Sequence, residues 1–128
     1  VDQIGDGDVR DARVPQEVAA LDAKDFQKFF DLVKASGNSS AKWLQNVYSI
    51  QKPEEQGVSM GLMVSEKVLD GKGASRVHGG GFAGVIMAMI PNDLVDEYTE
   101  YIENAIGEGN VYRMSIRPHG AICVSERI

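Results

Sequence analysis

Gly79, Gly80, Gly81 and Gly84 put four glycines into six positions, and Val85 to Ile90 follow without a polar residue. Glycine in regular structure gives up about 0.5–1 kcal/mol relative to alanine through lost backbone entropy. Such a cluster is tolerated where the backbone needs positive φ or where something must approach it closely. A fully apolar run of strand length behind it makes this a bend between two sheet segments. Bends of this kind present bare backbone N–H groups to an anion. A bulge or a close crossing of chain segments accounts for the same glycines, and the residues alone leave the two readings open.

Two familiar nucleotide loops are excluded. Gly79-x-Gly81-x-x-Gly84 satisfies the dinucleotide string, but that motif must open a helix so that the helix N-terminus meets the pyrophosphate. Here it opens a strand. No glycine-rich stretch ends in Gly-Lys-Ser/Thr, so there is no Walker loop.

The rest of the chain surrounds this bend with helices. Residues 1–13, acidic and glycine-bearing at their start, read as a frayed or disordered tail, and residues 14–128 as one domain. The chain does not begin with methionine, which suits a piece of a longer protein. Val14, Val18, Leu21, Phe26, Phe29, Phe30 and Val33 recur at helical spacing. The interval Asp22 to Asp25 divides them into two helices or kinks one, with Asp22 or Asp25 as N-cap. Gly37 is placed to end the second helix. Ser39 or Ser40 can cap a third, bearing Trp43, Leu44, Val47 and Tyr48. Pro53 stops that helix and starts another reaching about Leu69. Gly57, Gly61 and Ser65 lie four apart on it and predict close packing against a neighbour.

Beyond Gly73 the period changes to two. Strands are expected at 74–78, 85–90, 111–116 and 121–124, with a helix from Asn92 or Asp93 to Gly107 between the second and third. Helices first, then β-β-α-β-β, indicate an α+β domain with a mostly antiparallel four-stranded sheet in two layers. The strand 85–90 is apolar on both faces, so both require cover.

Composition narrows the function. A net charge of −6 argues against nucleic acid and anionic membrane as main partners. No apolar run approaches the roughly 18 residues that span a bilayer. The single cysteine, Cys123, reads as a small core residue in the last strand and points to a reducing, cytoplasmic setting. His78 and His119 each neighbour a glycine and have no carboxylate at ligand spacing, so no metal site is expected. No carboxylate pair or nucleophile–base pair follows from spacing, so no catalytic residue is assigned. Arg76 and Arg117 suit a phosphate or a surface ion pair. Helix caps account for the polar stretch Ser36 to Ser40.

Gly73-Ala74-Ser75-Arg76-Val77-His78-Gly79-Gly80-Gly81-Phe82-Ala83-Gly84 resembles the third conserved motif of galactokinases, in the GHMP kinase superfamily. Ala20 to Phe26, Leu32-Val33 and Ser36 to Ser40 are similar to the family's helical segment and its serine-rich junction. Trp43 to Tyr48, Glu54 to Gly57, Pro91 to Val95 and Ser115 to Gly120 are similar to a bacterial branch. Ala83 departs from the glycine that many members carry. The resemblance spans roughly residues 14–124 and implies a ferredoxin-like C-terminal lobe. In such enzymes ATP, Mg²⁺ and galactose meet between two lobes, and the γ-phosphoryl group passes to the sugar's C1 hydroxyl. The resemblance also implies that the phosphate loop, the sugar site and the Asp–Arg catalytic pair belong to an N-terminal kinase lobe that this segment lacks. It would bind no cofactor alone. Residues Gly79, Gly80, Gly81, Phe82, Ala83 and Gly84 would lie beside the nucleotide phosphates, with Arg76, Ser36 and Asn38 lining the cleft. A non-catalytic sugar and ATP sensor, another GHMP kinase and a free-standing dimerising ferredoxin-like domain are the alternatives.

Overall fold

The computed structural model describes residues 6–123 and 125. It is an α+β chain. Helices α1 (Asp6–Asp22), α2 (Phe26–Trp43) and α3 (Gly57–Leu69) precede strands β1 (Ala74–Val77) and β2 (Ile86–Met89). A single 3-10 turn over Asn92–Leu94 then leads into α4 (Val95–Ile106). Helix α1 reaches into the segment expected as a tail, while residues 1–5 lie outside the described part.

The break between α1 and α2 falls where the apolar rhythm lapses. Lys24 takes a left-handed φ of 56°, and the Asp25 carboxylate accepts the Lys28 amide at 3.1 Å as N-cap. From there α2 runs on through Gly37 and the serines, against the expectation of a helix end at Gly37. The reason is a crossing. A Cβ on Gly37 would stand 2.8 Å from the Arg76 Cβ on β1, so glycine sets how closely helix and strand approach. Ser36 and Ser40 are buried within this continuous helix.

The helix expected over Trp43 to Tyr48 does not form. Helix α2 ends at Trp43, Leu44 donates its amide to Ser40 O at 2.9 Å, and Gln45 adopts φ +50°. That left-handed residue turns the chain off the helix axis. Residues 44–56 form a looped connection, and Pro53 lies within it rather than starting α3.

Helix α3 lies against both β2 and α4. Gly61 comes within contact of Ile86, where an added Cβ would be 3.2 Å from Cδ1. The Ser65 hydroxyl, fully buried, is 2.6 Å from Gly61 O and 2.8 Å from the Tyr98 hydroxyl on α4. Close packing thus holds at Gly61 and Ser65, whereas Gly57 is open to solvent. Leu69, Tyr98 and Ile102 form one core cluster, with Val64, Val68, Ala88, Ile90 and Val111 against it, and Ala20, Val33, Ala74 and Val77 are also buried.

Strands β1 and β2 pair antiparallel in the register Ala74↔Met89 to Val77↔Ile86. Every residue of β2 is only half-buried. Residues 111–123 carry no strand, although two were expected there and at 124, which lies outside the described residues. A strand needs a partner's ladder of N–H and C=O groups, and among the described residues only β1 and β2 share one. Arg113 reaches Asp96 on α4 at 2.7 Å. Arg117 donates to the carbonyl oxygens of His119 and Gly120. Tyr112, Met114 and Ile116 are left 81, 89 and 87 % exposed. Cys123 is exposed rather than in the core.

Candidate functional site

The glycine bend links β1 to β2, as its expected place between two sheet segments predicts. The ladder runs one step past the strands, through His78 N to Val85 O at 3.1 Å. A tight turn follows, with Gly84 N donating to Gly81 O at 3.2 Å. Gly79, Gly81 and Gly84 take φ of 67°, 92° and 77°. The requirement is sharpest at Gly81, which is also buried: a Cβ there would fall 2.1 Å from Asn46 O and 3.0 Å from the Val77 Cγ1.

The remainder of the loop faces outward. Gly79, Gly80, Phe82, Ala83 and Gly84 are exposed. Among the described residues no internal acceptor takes the amides of Gly79, Gly80, Gly81, Phe82 or Ala83. Successive unpartnered amides in turns that mix right- and left-handed residues are the material of anion-binding nests. Beside it runs a groove of about 1200 Å³ between the 44–58 segment and the loop. Leu44, Val47, Tyr48, Ile50 and Phe82 give it apolar walls, and Lys52 and Glu55 supply charge.

The other sequence candidates divide. Arg76 and Ser36 are brought together, with the guanidinium donating to the Ser36 hydroxyl and, through Nε, to Val77 O at 3.1 Å. This bond ties β1 to α2. Asn38 lies two residues further along the helix and is exposed, because residues two apart do not share a helical face. Phe82, 70 % exposed, stands at the groove rim.

Asn46 is the residue that the sequence did not single out. It is 2 % exposed, and its Nδ2 donates to the Ser40 hydroxyl at 3.0 Å. Six residues separate the pair, so no helical or strand period would have joined them. Only the left-handed turn at Gln45 does so. Among the described residues no group of His, Cys, Asp and Glu could hold a metal ion, and no helix is long and apolar enough to cross a membrane. No family model, curated protein or solved structure matches the chain.

Proposed function

We propose that this chain is the C-terminal lobe of a galactokinase-like sugar kinase. The carrying observation is the glycine loop, exposed on either side of the buried Gly81, whose amides from Gly79 to Ala83 have no internal acceptor among the described residues. In the working enzyme the loop lies beside the ATP phosphates while the γ-phosphoryl group passes to the C1 hydroxyl of galactose. Its contribution is positional and electrostatic: fixed N–H dipoles meet charge on the phosphoryl oxygens. In this reading the Mg²⁺ ligands, the catalytic groups and the sugar contacts belong to the other lobe. This reading places the protein in the cytoplasm.

Two features of the surface support a missing partner lobe. Strand β2 is apolar at every position yet only half-buried. Tyr112, Met114 and Ile116 alternate along an extended segment and are almost wholly exposed. In the assembled enzyme this segment and the chain beyond Gly120 add to β1 and β2 and complete a four-stranded ferredoxin-like lobe. The test is an assay of the 128 residues with ATP, Mg²⁺ and galactose, alone and with a separately prepared N-terminal galactokinase lobe. The expected result is no turnover alone and turnover on mixing. Robust turnover by the chain alone refutes the assignment.

A further inference from the structure

The middle of the glycine loop, Gly81, is pressed against buried Asn46 and against Val77. Gln45, at φ +50°, turns Asn46 back beneath the end of α2. There the Asn46 carboxamide is anchored to the Ser40 hydroxyl at 3.0 Å, and its main chain and Cβ meet Gly81, where an added Cβ would lie 2.1 and 3.1 Å away. A continuous path therefore runs from the helix, through Ser40 and Asn46, to the middle of the loop. The other end of the carboxamide is unused, since Oδ1 is buried and has no hydrogen-bond partner.

We propose that Asn46 is the positioning residue of the glycine loop, fixing Gly81 so that the amides on either side of it face a bound phosphate group. This rests on the anion-binding reading of the loop. Neutrality is what the position demands. An apolar residue would leave the Ser40 hydroxyl without its donor. A carboxylate would fit the space but place a negative charge beneath amides that receive an anion, weakening the site by direct repulsion.

The experiment uses the ¹⁵N-labelled chain and three variants, Asn46→Ala, Asn46→Asp and Ser40→Ala. Order parameters of the Gly79 to Gly84 amides are measured without ligand, and affinity for sulfate is read from their shifts. In Asn46→Ala the loop order parameters are expected to fall from about 0.85 to below about 0.6, while α3 and α4 keep theirs and sulfate binds about tenfold more weakly. Ser40→Ala shows the same change in smaller degree. In Asn46→Asp sulfate binding drops about tenfold near about pH 8 and recovers toward about pH 5 as the buried carboxyl protonates. His78 stands at the loop's start. Arg76 on β1, Lys42 on α2, and Lys52 and Glu55 on the 44–56 loop carry charge on the surrounding elements. The wild-type chain titrated in parallel removes their common effect.

Loop amides as rigid in Asn46→Ala as in wild type would overturn the proposal, as would a sulfate affinity of Asn46→Asp that tracks wild type at every pH. Failure of wild type itself to bind sulfate would refute the anion reading instead, and the order parameters would still decide the role of Asn46.

Discussion

Replacing Gly81 by alanine tests the loop's construction most sharply. Its φ of 92° is one that an L-residue adopts at a cost of about 1–2 kcal/mol. The new methyl would lie 2.1 Å from Asn46 O, a backbone atom that cannot rotate away, and 3.0 Å from the Val77 Cγ1. Relieving such an overlap costs about 1–3 kcal/mol. Moving Asn46 also strains its bond to Ser40, worth about 1 kcal/mol. The sum is about 3–6 kcal/mol, a large share of the roughly 5–15 kcal/mol that holds an ordinary domain together. At a urea slope of about 2 kcal/mol per molar, the unfolding midpoint should fall by about 2 M. Gly80→Ala is the control within the same loop, since its φ is not positive and nothing lies within 4 Å of an added Cβ. It should be neutral or gain about 0.4–1 kcal/mol from a less flexible unfolded chain. Gly79→Ala and Gly84→Ala, strained in φ but unobstructed, should fall between. A Gly81→Ala midpoint equal to that of Gly80→Ala would refute the reasoning.

Two further expectations concern the scaffold. Gly37→Ala gains about 1 kcal/mol of helix propensity, but its methyl would stand 2.8 Å from the Arg76 Cβ. A net loss of about 1 kcal/mol in thermal unfolding is expected, and a gain would show that α2 does not press on β1. Burial raises the Tyr98 hydroxyl above its ordinary pKa of 10.0, and the Ser65 hydrogen bond opposes this in part. The folded state thus holds this proton more tightly than the unfolded state. Its stability is complete below about pH 10 and declines as pH climbs through the raised value. Tyr98→Phe should cost about 0.5–1.5 kcal/mol at neutral pH and flatten that alkaline decline in a pH series of urea melts.

What the chain made legible was local. The glycine bend with its apolar follow-on is the β1–β2 connection, and Gly107 ends α4 with φ +105°. Asp25 is the N-cap that its spacing offered. What was not legible depended on tertiary contact. Gly37 and its serines look like a helix end in isolation. Only the approach of β1 shows glycine as a crossing point and Ser36 as the acceptor for Arg76. Residues 111–123 alternate like a strand, but alternation cannot supply a partner edge. Within the site, the glycines could be approached from sequence, and Asn46 could not, because its role is set by a left-handed turn at Gln45.

Titration of the ¹⁵N-labelled chain with tripolyphosphate addresses the central claim directly. The account predicts saturable shifts at the amides of Gly79 to Ala83, weakened by added salt as a charge-driven contact should be, with α1 and α3 unmoved. Shifts absent from the loop, or spread evenly over the helices, would contradict it.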